Sequence, residues 1–290
     1  MTLVEDGGRP GLGAIGVGRS GAADRAASAL ANRLVGNEPD AALLEATLGG
    51  LVLRAERTVL VALTGATAPS TVDGVPVGPG VPLRVPAGAV LRLGTPSRGL
   101  RSYVAVRGGV LVPPVLGARS HDVLSGIGPR PLRAGDALGV GAAPQAWPPV
   151  DGAPIRHPAG ELRPGEREPS LHVLPGPRPE WFGTDAWSAL GALRTVSADS
   201  NRVALRLDGP PVPRVPGDLP TEGLVRGAIQ VPPDGRPVLF LADHPVTGGY
   251  PVIGVLAEDD VDRAAQLRPG DRLRLRPRAT TGGSEETTGA

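Results

Sequence analysis

The residues best suited to chemistry lie in the stretch GAIQVPPDGRPVLFLADHPVTGGYPVIGVL, positions 227–256. It alternates strand, turn, strand, loop and strand. Pro233-Asp234-Gly235 forms the turn, because proline fixes φ and glycine tolerates positive φ. The longer connection Asp243–Pro251 carries Thr247, Gly248, Gly249 and Tyr250. Two successive glycines let backbone N–H groups approach a ligand closely, and such a concavity suits a carboxylate or an oxyanion. Asp243 offers a base or an acceptor, Gln230 a neutral amide, and Tyr250 a donor with an aromatic face. These three are the candidate catalytic residues, with Thr247, Gly248 and Gly249 as candidate substrate contacts. The same residues suit, equally well, a hairpin loop that Asp243 merely caps.

Two further clusters could serve a substrate. Gly117-Ala118-Arg119-Ser120-His121-Asp122 places an arginine beside hydroxyl and carboxyl groups, a set that could grip an anion bidentately. Its plainer reading is an exposed Arg119 paired with Asp122. Asp199-Ser200-Asn201-Arg202 precedes a strand, and either caps the strand entry or faces the same cleft as Asp243. Arg119, Ser120, Asn201 and Arg202 join the candidate substrate contacts. Of the four histidines, His157 falls in a linker and His172 in a strand, while His244, after Asp243, has the most suggestive setting. No pair has metal-ligand spacing, so no metal site is expected. Gly11-Leu12-Gly13-Ala14-Ile15-Gly16 has the form of a dinucleotide fingerprint. Pro10 precedes it and the next helix starts too late, so it reads as a glycine-rich loop.

Composition removes other chemistries. All 30 basic residues are arginine, against 29 acidic ones. Without lysine the chain forms no Schiff base, completes no P-loop and carries no biotin on its own side chains. Without cysteine it has no disulfide, thiol nucleophile or thiolate-bound zinc. A net charge of +1 gives no footprint for nucleic acid or an anionic membrane. No long apolar run or basic-apolar leader is present, so a cytoplasmic location is expected.

The elements that must position these residues are mainly strands. The 43 glycines and 34 prolines punctuate short apolar runs instead of clustering, the texture of many strands joined by tight turns. Strands are expected at 51–55, 58–64, 90–93, 101–106, 171–174, 202–207, 238–241, 252–256 and 272–275. Helical spacing appears at 22–35, stopped by Gly36-Asn37, and at 259–267. The segments 85–93, 132–140 and 267–275 share a glycine turn followed by an alternating strand, the last two closing two separate units. The expected division is a first domain over 1–143, a Pro-rich linker over 144–170, a second domain over 171–277 and a disordered tail over 278–290.

Several long motifs, in order, resemble one family. ANRLVGN (31–37), SYVAVRGG (102–109) with VLGARS (115–120), SNRVALRLDG (200–209), EGLVRGAIQVPPDGRPV (222–238) and DHPVTGGYPVIG (243–254) are similar to the allophanate hydrolase subunit 2 family. That family includes the C-type subunit of 5-oxoprolinase, KipA regulators and the carboxyltransferase region of urea carboxylase. The resemblance runs from about Glu5 to Arg276. It implies two cyclophilin-like β-barrels, a B-type or KipI-like partner protein and, for 5-oxoprolinase, a further A-type partner. It implies ATP-dependent opening of a lactam, 5-oxoproline, with ATP at a partner or an interface. For the urea carboxylase relatives it implies carboxyl transfer from biotin borne elsewhere, and for KipA a regulator without activity. The chain departs from the family in Glu5-Asp6, where Gln-Asp is usual, and in His121, where threonine is common. Its opening strand is expected to be shortened by a misplaced start, leaving an unpaired edge.

Overall fold

The computed structural model describes residues 1–147, 152–154 and 168–278. Its first unit contains a five-stranded antiparallel sheet in the order β1 (Thr2–Glu5), β2 (Leu43–Thr47), β9 (Arg98–Val106), β4 (Val59–Thr67), β7 (Pro82–Val85). Facing it is a four-stranded sheet, β3 (Val52–Arg54), β8 (Val90–Leu93), β5 (Ser70–Val72), β6 (Val75–Val77). Side chains alternate along β9, as the two-residue period of a strand requires. Val104 and Val106 enter the core between the sheets with Leu63 and Leu91, while Tyr103 and Ala105 face the other way. On that second face lies α1 (Arg25–Leu34), packed through Ala27, Ala31 and Leu34. A ribbon of β10 (Val110–Leu111) and β11 (Gly139–Val140) completes the unit.

The second unit is a closed seven-stranded barrel. Its order is β12 (Ser170–Pro175), β19 (Val252–Leu256), β16 (Ala228–Gln230), β17 (Val238–Phe240), β14 (Ala204–Asp208), β13 (Arg194–Val196), β20 (Arg272–Pro277). β20 closes the ring by pairing in parallel with β12. Leu171, Leu205, Ile229, Leu239, Ile253 and Leu273 fill the interior, and α2 (Thr184–Leu190) and α3 (Glu258–Ala264) pack against the same core. A barrel this small is filled by its own side chains, so chemistry must sit outside it. Beside the barrel, β15 (Glu222–Gly223) pairs with β18 (Thr247–Gly248).

The mainly β reading holds: the second unit is a hydrogen-bonded ring, and the first encloses its core between two sheets. Four details differ from the sequence reading. Helix α1 starts at Arg25 because Asp24, itself extended, caps it, its carboxylate accepting the Ala27 N–H at 2.9 Å. Strand β14 starts at Ala204, since the Asn201 side chain accepts from the N–H of Val203 and Ala204 at its entry. The segment 132–140 closes no unit; it ends in β11, which pairs only with β10 among the described residues. Helix α2 was not expected at all, being seven residues between two glycines.

β1 pairs with β2 along all four of its residues. The glycine-rich segment is a loop, with one 3-10 turn at Gly13–Ile15. Parts of 144–170 run along the first unit, where the Ala153 N–H donates to Gly80 and the Arg107 guanidinium stacks on Trp147 at 4.7 Å. Residues 148–151 and 155–167, with His157, lie outside the described residues, as do 279–290. Among the described residues no helix is long and apolar enough to cross a membrane.

Candidate functional site

The two units meet along a seam built from buried charge. The apolar cluster there is small, Ala23 of the first unit against Ala242 and Ala265 of the second. At the centre lies Arg202, wholly buried just before β14. Its Nε donates to Asp243 Oδ2 at 2.9 Å, Nη1 donates to Glu45 Oε1, and Nη2 donates to the Gly21 carbonyl at 2.6 Å. Glu5 Oε1 lies 3.4 Å from Nη2. Three carboxyl groups from both units therefore surround one guanidinium, whose planar fork suits several acceptors at once. Arg101 of β9 adds a second cation, 3.4 Å from Glu45.

The charges settle according to their surroundings. Burial alone would raise the Glu45 pKa, but Arg202 and Arg101 outweigh it and hold the group below the usual carboxylate range. Glu5 goes the other way. Burial first, then the neighbouring Glu45 and Asp243, push its carboxyl well up, against the pull of Arg202. The raised Glu5 favours its protonated form, which lessens the crowding of negative charge around Arg202.

A second knot joins α1 to α3. Asp262 of α3 accepts from the N–H groups of Arg25 and Ala26 at 3.0 Å each, capping a helix of the other unit. Gln266 bridges the Arg101 backbone and Asp24. Burial, and then the charge of Asp262, raise Asp24 to about 7.

The expected site residues fall into two groups on this frame. Asp243 is 1% exposed. It accepts from Arg202, from the Ser20 hydroxyl at 2.7 Å and from the Val123 N–H at 3.1 Å, so its oxygens are taken. The geometry gives it a positioning role and no free lone pair for a substrate proton. Gln230 is likewise buried, donating to the Tyr250 carbonyl at 2.8 Å and bracing the hairpin from beneath. Ser120 is buried and bonded to Asp6, and Arg119 donates Nε–H to the Val112 carbonyl without meeting Asp122. Asn201 serves the strand entry, and Arg202 the seam. The exposed group is Thr247, Gly249 and Tyr250, with Gly248 half-buried beside them.

The hairpin packs against the glycine-rich loop of the first unit, where a Cβ on Gly13 would lie 3.8 Å from Val246 and one on Gly18 would lie 3.4 Å from the His244 carbonyl and 3.6 Å from Asp122. His244 sits half-buried between them. Its Nδ1 lies 2.8 Å from the Pro245 carbonyl, which fixes the proton there and leaves Nε2 as an acceptor. Burial lowers its pKa, so the ring is neutral. Sequence pointed to His244 by its position alone. Glu5, Glu45, Asp24, Arg101 and Gln266 were missed, although Glu45 does break the apolar alternation of LLEAT. Among the described residues no group of three histidines or carboxylates is arranged to hold a metal ion.

The paired glycines are not equivalent. A Cβ on Gly248 would lie 2.6 Å from Gln230 Nε2 and 2.8 Å from Leu224 Cδ1, whereas on Gly249 the nearest atom is 3.8 Å away. Gly248→Ala is therefore expected to destabilise by about 1–3 kcal/mol and Gly249→Ala by less than about 0.5 kcal/mol. Urea denaturation of both variants checks this, and equal losses would contradict it.

Comparison with known proteins agrees with this architecture. The profile of the carboxyltransferase domain, subdomain A and B, matches residues 15–277. The chain is 38% identical to the C-type subunit of 5-oxoprolinase from Escherichia coli over 94% of its own length and 86% of that protein. It is 31% identical to urea amidolyase of Lachancea kluyveri over 95% of its length but 16% of that much longer protein. Among solved structures, TTHA0988 is 38% identical with a TM-score of 0.83, and the chain covers 53% of it, about half its length. The Kluyveromyces lactis urea amidolyase has a TM-score of 0.86 at 29% identity, with 18% of that chain covered. The chain belongs to the family of carboxyltransferase domains, subdomain A and B.

Proposed function

We propose that the chain is the C-type subunit of a heteromeric 5-oxoprolinase, which opens 5-oxoproline to glutamate with ATP in company with a B-type or KipI-like partner and an A-type partner. The observation that carries this reading is the match to the C-type subunit of the Escherichia coli enzyme, which extends over nearly the whole of both chains. The amide lies where the glycine-rich loop meets the hairpin 243–250, beside His244. There His244 Nε2 takes a proton from the water that attacks the amide carbonyl and passes it to the ring nitrogen as the C–N bond breaks, the Tyr250 hydroxyl and the backbone of Thr247–Gly249 meet the developing oxyanion, and Asp243 and Gln230 hold the hairpin in place. ATP belongs to a partner or an interface. The chain has no lysine, and the first-turn N–H groups of α1, which follows the glycine-rich loop, are taken by Asp262 and Asp24. A cytoplasmic location fits a reaction that consumes ATP.

The experiment is to purify the chain with its B-type partner and measure 5-oxoproline hydrolysis with and without the A-type partner. Turnover is expected only with all three, and His244→Gln is expected to lower kcat roughly 100-fold without loosening the complex. A second reading, carboxyl transfer from biotin on another protein, is favoured by the structural match to urea amidolyase. Turnover that requires a biotinylated protein would replace the first reading by the second. Stable binding without turnover in any combination would make the chain a regulator.

A further inference from the structure

Four arginines are almost wholly buried among the described residues: Arg9, Arg101, Arg194 and Arg202. A buried guanidinium is costly unless carboxylates or several acceptors surround it. Arg202 has three carboxyl groups and Arg101 has Glu45. Arg194 donates to three carbonyls, of Ala189, Leu190 and Pro210, two of them at the end of α2 where the helix dipole favours a cation. Arg9 has none of this. Its side chain makes one hydrogen bond, from Nη2 to the Ser120 carbonyl, and its Nε and Nη1 are buried with no partner. Among the described residues no carboxylate lies within ion-pair distance of it.

The loop 7–21 is pinched at its neck, where a Cβ on Gly8 would meet the Arg19 carbonyl at 2.5 Å and one on Gly21 would meet the Gly8 nitrogen at 2.9 Å. The Arg9 N–H donates to the Arg19 carbonyl across that neck at 2.8 Å. Towards the tip, Gly11 and Gly16 take positive φ with nothing near their Cβ positions and Ile15 is 70% exposed, while Gly13 approaches Val246 of the hairpin. Arg9 therefore sits at the pinched base of a loop whose outer part meets the hairpin. His121, beside Ser120, also has a buried Nδ1 without a partner.

We propose that Arg9, at the base of the glycine-rich loop, is an anion-binding residue and that it takes the carboxylate of the substrate. The missing counter-charge is supplied by the ligand, whose two oxygens replace the absent protein acceptors. The identity of that substrate rests on the functional reading above; the presence of an anion site does not.

Arg9→Met removes an unpaired buried charge at nearly constant volume, so it is expected to fold and to raise the Tm. Arg9→Lys keeps the charge but loses the planar fork, and serves as the second variant. In the assembled complex, L-5-oxoproline and 2-pyrrolidinone compare the same ring with and without a carboxylate. The wild type is expected to bind the former at least roughly 30-fold more tightly, Arg9→Met to bring the ratio near unity with 2-pyrrolidinone unchanged, and Arg9→Lys to fall between. A merely structural Arg9 would change both ligands alike. Undiminished preference in Arg9→Met would overturn the proposal. If neither ring binds the wild type, the 5-oxoproline reading fails and formate becomes the probe. Slower hydrogen exchange of residues 8–21 in formate, lost in Arg9→Met, would still support the anion site, and no protection would refute it.

Discussion

Replacing Arg202 with methionine is expected to destabilise the protein by about 3–5 kcal/mol, the usual consequence of removing one partner from a buried ion pair. The variant strands two carboxylates. Asp243 keeps only the Ser20 hydroxyl and the Val123 N–H, and Glu45 must rely on Arg101, Tyr103 and the Ala23 N–H. The lost hydrogen bond to Gly21 also frees the neck of the glycine-rich loop. Methionine has similar volume, so the loss reports charge and hydrogen bonding more than a cavity. The control is Arg236→Met, whose ion pair with Asp208 lies on the surface and is expected to contribute nothing measurable. Urea titration of both variants gives the comparison, and equal midpoints would show that the seam does not depend on its charges.

The second large effect is on pH dependence. Glu5 and Asp24 both hold their protons more tightly in the folded chain than in the unfolded one, Glu5 from an ordinary value of 4.5 and Asp24 from 3.8 to about 7. The unfolded chain releases these protons first, so stability is greatest below pH 4 as far as these two groups are concerned. It falls as pH rises through the folded values, at about 1.4 kcal/mol per pH unit for each proton. Glu5→Gln removes one of the two contributions while keeping shape and a neutral charge. Its midpoint in urea is expected to match the wild type near pH 4 and to exceed it increasingly towards pH 8. Glu45 acts in the opposite sense, since its lowered pKa withdraws stability only as the solution becomes strongly acidic. A wild-type advantage at pH 8 would mean that Glu5 is ionised in the folded chain.

What the sequence revealed and what it hid follow from the range of the interactions. Strands such as Val90–Leu93 and Val252–Leu256 were legible to the residue, because alternation and flanking turns are local signals. Helix α2 and the two-residue strands were not, since tertiary contacts hold elements too short to announce themselves. The hairpin 243–250 was found, yet its leading acid turned out to be the most tightly held. Asp243 looks free in DHPVTGGY, and only the fold brings Ser20, Val123 and Arg202 to it from positions far apart in the chain. Arg9 is hidden for the same reason: an arginine in a glycine-rich loop reads as solvated until Ser120, more than a hundred residues downstream, comes to meet it.

The cap that Asp262 places on α1 bears on how the molecule assembles. An isolated helix of ten residues falls short of the ~12–15 at which helices persist alone in water. This one also depends for its first two N–H groups on a carboxylate more than two hundred residues downstream. The first unit's rear face is thus completed by the second, while the second unit's central arginine draws two of its three carboxyl partners from the first. Neither half carries a finished set of interactions. A chain cut in the linker would yield two fragments that each lack what the other supplies, and the natural unit of folding, inheritance and engineering is the pair.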